Sequence, residues 1–129
     1  MSETQSSFGE FVRAFIDMNI LRNKHYHSGE IGKANKLSKD VTKLFARYEE
    51  DSEQFRSILL MLIADERECV ALDAAALGLW HVPDAAEKRL ESLQLAKEWE
   101  DRSTAKVTLE EWRAGRLKPW WRERWPKKG

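Results

Sequence analysis

The chain has 129 residues and a formal net charge of zero, and its length predicts one domain with a core large enough to fold without disulfides. Hydrophobic residues make up 42% and charged residues 34%, which argues against disorder and favours a well-solvated helical surface. No apolar run approaches the ~18 residues of a membrane span, and the first residues lack the basic-then-apolar order of a secretory signal. We therefore expect a cytoplasmic protein with no membrane partner.

The zero net charge hides a pattern along the sequence. Residues 1–48 hold eight basic and five acidic residues, residues 49–112 hold seven and sixteen, and residues 113–129 hold seven and one. Such asymmetry affects the choice of partner and the association rate rather than the fold. Two interpretations stay open: the basic C-terminal segment folds back on the acidic middle, or it faces a partner.

The first half of the chain predicts a helical hairpin. Apolar residues recur over residues 7–26 with the three-and-four spacing of a buried stripe, which predicts the first helix. A break is expected at residues 27–29, and a second helix follows over residues 31–50 with lysines on its polar face. Two helices of this length joined by a short loop predict an antiparallel pair.

A second set of helices follows a capping signal. Ser52 is the predicted N-cap of a third helix over residues 53–63, which is apolar nearly all round and therefore expected to be buried on most sides. An alanine-rich fourth helix is predicted over residues 67–79. The fifth helix is expected to begin near Pro83 and to end near Glu98.

The last part of the chain predicts less regular structure. Residues 99–106 are polar and predicted as a loop, after which Thr108 would cap a short helix over residues 109–114. Gly115 is the expected C-terminal stop, and an irregular basic segment is expected from Arg116 onward. Together the helices predict an all-α stack of antiparallel hairpins. The predicted domain covers residues 1–119, followed by a basic, tryptophan-rich tail over residues 120–129.

Two segments carry a resemblance to known families. Residues 56–80, with an apolar helix, an acidic turn and an alanine-rich helix, resemble one HEAT-type repeat. Residues 105–119 read AKVTLEEWRAGRLKP and resemble the C-terminal signature of a family of small bacterial helical proteins of unknown function, with Val107 where methionine is usual. The resemblance covers about residues 54–119. It implies a short HEAT/armadillo-like fold without catalytic residues, and some proteins of this kind are suspected immunity proteins encoded beside bacterial toxins.

Residues with catalytic or ligating chemistry are few. His25 and His27 lie two apart at a predicted helix end, so their rings point to different sides, and capping of the helix dipole competes with metal binding. Cys69 lies on an alanine-rich helix with no histidine nearby in sequence, which is typical of a small buried hydrophobe. We therefore expect no enzyme activity, no cofactor and no metal.

A group of carboxylates surrounds the predicted start of the fourth helix. Acidic side chains at this position stabilise a helix N-terminus, which is the simplest interpretation. Asp73 fits that interpretation less well, because it interrupts an apolar helix and so faces either a groove or a buried partner. The predicted partner-binding carboxylates are Asp65, Glu66, Glu68 and Asp73.

Tryptophans interleaved with basic residues mark the C-terminal segment. Three interpretations stay open: the tryptophans dock on the helical body, form a protein interface, or stack on nucleic acid. A whole-chain pI of 6.8 disfavours the nucleic-acid interpretation. The predicted partner contacts here are Trp112, Trp120, Trp121 and Arg122.

These features lead to one main functional expectation. It is a binding protein, most concretely an immunity protein whose acidic segment occludes the basic active-site cleft of a cognate, nuclease-like toxin. The alternative is a nucleic-acid-binding or regulatory adaptor that uses the basic tryptophan-rich tail. A monomer and a homodimer are both compatible with the sequence.

Overall fold

The structure is a computed structural model that describes the backbone of residues 3–125 and the side chains of residues 8–125. Within this part of the chain it contains seven helices and no strand, which confirms the predicted all-α fold. The helices form two compact units, of which the first contains α1, α2 and α7 and the second contains α3 to α6. Their bounds are α1 (Glu3–His27), α2 (Ile31–Tyr48), α3 (Glu53–Ile63), α4 (Glu68–Gly78), α5 (Pro83–Leu93), α6 (Trp99–Arg113) and α7 (Trp120–Arg124).

The first unit contains the predicted hairpin of α1 and α2. The break falls at Gly29, whose φ of 81° lies in the left-handed region that glycine adopts without strain. The Gly29 N–H donates to the Tyr26 carbonyl (3.2 Å) and the Glu30 N–H to the His25 carbonyl (2.9 Å), the pair of bonds that defines a Schellman motif. This turn brings α2 back along α1.

Aromatic residues fill the core of the first unit. Phe11, Phe15 and Phe45 are fully buried, and the ring centroid of Phe11 lies 5.6 Å from that of Phe15 and 6.3 Å from that of Phe45. The buried Asn19 is satisfied, because its Nδ2 donates to the Phe15 carbonyl and its Oδ1 accepts from Arg22 Nη2. The middle of the predicted apolar stripe of this hairpin is therefore buried in the core, whereas its member Ile31 beside the turn is 46% exposed.

In the second unit the central helix is α4, which packs on α3, α5 and α6. Seven of its eleven residues are buried. The prediction that α3 would be the helix buried on most sides is wrong, since Leu60 is 44% and Met61 54% exposed. The small alanines of α4 let three neighbours approach it closely, whereas α3 lies at an edge of this unit. The predicted cap of α3 is confirmed, because Ser52 Oγ accepts from the Phe55 N–H at 3.1 Å.

The predicted loop over residues 99–106 is wrong, because these residues form the first half of α6. Thr108 consequently lies inside a helix and caps nothing. The polar segment is helical because Glu100 and Asp101 meet the positive end of the helix dipole. Arg102 also reaches back to donate to the carbonyls of residues 96 and 97, at 2.7 and 3.0 Å. Only Ala105 and Leu109 of α6 are buried, so this edge helix needs few apolar residues.

The predicted end of α6 is confirmed. Gly115 has a φ of 74°, its N–H donates to the Trp112 carbonyl (3.1 Å), and the Arg116 N–H donates to the Glu111 carbonyl (2.9 Å). Residues 116–119 are irregular, as expected, but α7 then begins at Trp120. The division into a domain over residues 1–119 and a tail over residues 120–129 stays a prediction, and residues 126–129 lie outside the described residues.

Candidate protein-binding site

Asp65 lies in the connection between α3 and α4 and holds it in shape. Its carboxylate accepts hydrogen bonds from the backbone N–H of Arg67 (2.8 Å) and from Nε (2.8 Å) and Nη2 (2.7 Å) of the Arg67 side chain. These bonds lower the pKa of the Asp65 carboxyl below its usual range, with the Arg67 side chain as the largest cause. Arg89 of α5 donates to the Asp65 carbonyl at 3.1 Å. Asp65 is thus a turn-forming residue whose charge is already paired.

Glu68 links two connections of the second unit. Its Oε1 accepts from the Lys97 N–H at 3.1 Å, and Lys97 belongs to the connection between α5 and α6. The α3–α4 and α5–α6 connections therefore lie side by side at one end of this unit. Glu66 is exposed at that end, whereas Asp73 is half-buried more than a helical turn further along α4. Of the four predicted carboxylates, the structure brings together Asp65, Glu66 and Glu68.

We call this end of the second unit, residues 65–68 and 95–102, the acidic end. It holds six carboxylates and three basic side chains. Two of the basic side chains already have partners inside the acidic end: Arg67 forms an ion pair with Asp65, and Arg102 donates to backbone carbonyls. Glu66 is exposed on the α3–α4 connection, and Glu100 is half-buried in the first turn of α6, just after the α5–α6 connection. The acidic end therefore presents negative charge from two parts of the sequence that are about thirty residues apart.

Two large apolar side chains are exposed at the acidic end. Leu95 is 88% exposed and Trp99, the first residue of α6, is 63% exposed, the two largest values among the exposed large hydrophobic residues of the described chain. Neither residue is among the partner contacts predicted from the sequence. The available signal was that Leu95 falls off the inward stripe formed by Leu90, Leu93 and Ala96.

The connection that carries these side chains is held by hydrogen bonds along its length. The N–H groups of Leu95 and Ala96 donate to the carbonyls of residues 92 and 93, at 3.1 and 3.0 Å. The carbonyl of Ala96 and both backbone polar groups of Lys97 are also bonded, to Arg102 and Glu68. Ala96 itself is only 2% exposed and anchors the turn in the core. Leu95 and Trp99 are therefore presented from an ordered backbone.

Trp112 docks on α5 in the second unit. Its Nε1 donates to Glu87 Oε2 at 3.3 Å, and its ring meets that of Trp80 edge to face with 5.0 Å between centroids. The adjacent Arg113 forms ion pairs with Glu87 and Glu91. These carboxylates raise the pKa of the Arg113 guanidinium, chiefly through its hydrogen bond to Glu91. Trp112 is half-buried and serves the packing of α6.

Trp121 belongs to the core of the first unit. It is fully buried, its ring meets Phe45 edge to face at 5.3 Å, and its Nε1 donates to Glu49 Oε1 at 2.9 Å. Arg122 donates to the same carboxylate at 2.8 Å, which raises the pKa of its guanidinium. Trp120, 38% exposed, packs edge to face on Trp121. The expectation that Trp121 contacts a partner is corrected by its burial, and docking of the basic segment accounts for Arg122 as well.

The remaining candidates for chemistry lie on different helices, the histidines at the end of α1 and Cys69 on α4. His25 Nδ1 lies 3.0 Å from Glu30 Oε1 at the end of α1, where Lys33 and His25 lower the pKa of the Glu30 carboxyl to about 2. Cys69 is half-buried on α4. Among residues whose side chains are described, no three histidines, cysteines or carboxylates are grouped to hold a metal ion. Within that same part of the chain, none of the helices combines the length and apolar character needed to cross a membrane.

Comparison with known structures shows the fold alone. The chain is similar to the protein RPA1889 from Rhodopseudomonas palustris CGA009, with a TM-score of 0.77 and 24% sequence identity. The match covers 92% of this chain and 98% of that one. Comparisons with protein-family models and with curated proteins give no match.

Proposed function

We propose that this chain is a non-catalytic, cytoplasmic protein-binding module, most concretely an immunity protein that neutralises a bacterial toxin by occluding its active site. The observation that carries the proposal is the acidic end, where exposed Leu95 and Trp99 lie among carboxylates on an ordered backbone. Exposed aromatic and aliphatic side chains with a charged border are typical of protein interfaces. The resemblance of residues 54–119 to a family with suspected immunity proteins supports the same function.

The proposed mechanism is electrostatic occlusion. A toxin that cleaves nucleic acid carries a basic cleft for the phosphate backbone. The carboxylates of the acidic end, of which that of Glu66 is exposed, would occupy that cleft in place of the substrate phosphates. Complementary charge speeds the encounter of the two proteins and suppresses wrong partners.

The adaptor alternative receives less support from the same contacts. Trp121 is buried, and the guanidinium of Arg122 is paired with Glu49, so both are used inside the first unit. Nucleic-acid binding by stacking requires aromatic faces that a base can reach. We therefore propose no second function.

The test starts from capture of a partner and continues to its activity. The tagged protein is used to isolate a stoichiometric partner from its native host, and that partner is then expressed alone and together with this chain. We expect growth arrest in the first case and rescue in the second. Failure to capture a partner at stoichiometric yield, or a captured protein without toxicity, would contradict the proposal.

A charge reversal tests the electrostatic mechanism. Glu66→Lys reverses an exposed carboxylate at the acidic end, and we expect the Kd for the captured toxin to rise by about threefold or more, mainly through slower association. Asp65 and Glu100 are left in place, because the first shapes the turn and the second stabilises the start of α6. The matched control is Glu10→Lys, which makes the same charge change on an exposed residue of α1. Equal affinities of the two variants would exclude the electrostatic mechanism.

A further inference from the structure

We infer that Leu95 and Trp99 form the anchor of the interface, and that the partner receives them in an apolar pocket bordered by lysine or arginine side chains. This inference rests on the proposed function and adds the chemistry of the contact. Isolated exposed hydrophobic residues are ordinary on protein surfaces. These two differ because they are the most exposed large hydrophobic residues of the described chain and lie four residues apart, Leu95 on the α5–α6 connection and Trp99 at the start of α6.

The spacing places both residues within the span of a single interface. Four residues of extended chain span at most about 14 Å, so the Cα atoms of Leu95 and Trp99 are no farther apart than that. The centre of a standard protein interface covers such a distance easily. Tryptophan is among the residues that contribute most to binding at the centre of interfaces, and a neighbouring leucine adds apolar area.

The rigidity of the connection favours an anchor. Arg102 and Glu68 bind its backbone, and Ala96 fixes it in the core. A side chain presented from an ordered backbone loses less conformational freedom on binding than one on a mobile loop. Leu95 and Trp99 therefore need little reorganisation to enter a pocket.

The surrounding charge selects one class of occupant. Glu98, Glu100 and Asp101 lie within a few residues of Leu95 and Trp99 in sequence, and Glu66 and Glu68 belong to the segment that Glu68 joins to Lys97, so positive charge around the partner's pocket would complement this end. A second copy of this chain using the same patch would oppose like charges across the two-fold axis. An anionic membrane surface would repel the carboxylates in the same way. A basic-bordered pocket on another protein is the one occupant that satisfies both the apolar and the acidic parts.

The experiment measures binding of the toxin captured by the wild-type chain. We expect Trp99→Ala to raise its Kd by about thirtyfold or more and Leu95→Ala by roughly tenfold, with Trp99→Phe retaining most of the affinity. The control variant Leu21→Ala/Ile31→Ala truncates two exposed apolar side chains of the first unit and should bind as wild type does. All variants are checked by thermal unfolding, where a shift of less than about 4 °C shows that the fold is intact.

A photo-crosslink tests the chemistry of the pocket. With p-benzoylphenylalanine in place of Trp99, we expect a crosslink to apolar residues of the toxin flanked by lysine or arginine. The same probe at Leu21 should give no such product. A crosslink to a segment bordered by acidic residues would overturn the inference.

The outcomes separate the inference from the proposed function. If the wild-type chain captures no toxin, the proposed function fails. If it captures a toxin and Leu95→Ala/Trp99→Ala binds it as tightly, only the inference fails. Concentration-dependent dimers that the double variant abolishes, or binding to vesicles of phosphatidylserine that it abolishes, would overturn the inference in favour of self-association or a membrane surface.

Discussion

Trp99 and Trp121 show how one residue type serves two purposes in this protein. Trp121 of α7 is fully buried, packs on Phe45 and donates to Glu49. Trp99 of α6 is 63% exposed at the acidic end, four residues after the exposed Leu95. The basic, tryptophan-rich segment that stands out in the sequence is thus used for folding, whereas the less conspicuous tryptophan beside a polar run is available for recognition. Composition shows which residues are unusual, but packing and hydrogen bonding in the fold determine which of them are buried and which stay exposed.

The largest expected effect is a loss of stability at the buried tryptophan. Trp121→Ala removes a fully buried indole and should cost about 3–5 kcal/mol, which lowers the Tm by roughly 10–20 °C. Trp99→Ala should change the free energy of unfolding by less than about 0.5 kcal/mol, because the side chain is mostly solvated. Thermal unfolding followed by circular dichroism measures both. Similar losses of unfolding free energy for the two variants would show that the two tryptophans lie in similar environments.

A smaller effect tests the carboxylate that holds α7. Glu49→Ala leaves the buried Trp121 Nε1 without this acceptor and removes the ion pair of Arg122, so we expect a loss of about 1–3 kcal/mol. The adjacent Glu50→Ala is the matched control, since Glu50 is exposed and should be nearly neutral. Chemical denaturation of both variants gives the comparison. Equal stabilities would remove Glu49 from the account of how the segment docks.

The smallest expected effect concerns Asp65 in the connection between α3 and α4. The Asp65 carboxyl has a lowered pKa in the folded state. Its ionised form therefore stabilises the fold when the pH is above the pKa of the unfolded state, which is about 3.9. That contribution is lost as the pH falls through the lower folded pKa. We expect Asp65→Asn to lower the Tm at neutral pH and this difference to shrink below about pH 4. A constant difference between Asp65→Asn and the wild type across this pH range would contradict the assignment.

Much of the fold follows from local sequence signals. The bounds of α3, its cap at Ser52 and the glycine stops at Gly29 and Gly115 are set by interactions within a few residues, so they could be predicted. The first half of α6 could not, because its polar residues are held by Arg102 reaching back to the preceding turn. Helix propensity is a property of single residues and does not include that contact.

The candidate site was only partly predictable. The acidic residues of the α3–α4 connection were found, because carboxylates at a helix start are visible in the sequence. Leu95 and Trp99 were missed, since exposure depends on how α5 ends at Leu93 and how the chain turns into α6. Trp121 was visible as an unusual residue, but its acceptor Glu49 lies 72 positions earlier in the chain. Such distant pairings become apparent only from the three-dimensional structure.

The docking of α7 on α2 also has a consequence for biosynthesis. A chain leaves the ribosome from its N-terminus, so α1 and α2 emerge long before Trp121 is available to fill the space beside Phe45. The hairpin of α1 and α2 can form before α7 is translated, but the side of Phe45 that packs on Trp121 stays uncovered until then. Truncation after Pro119 would therefore expose apolar surface of the first unit to proteases. The stability of this unit thus depends on residues that are translated long after its first two helices.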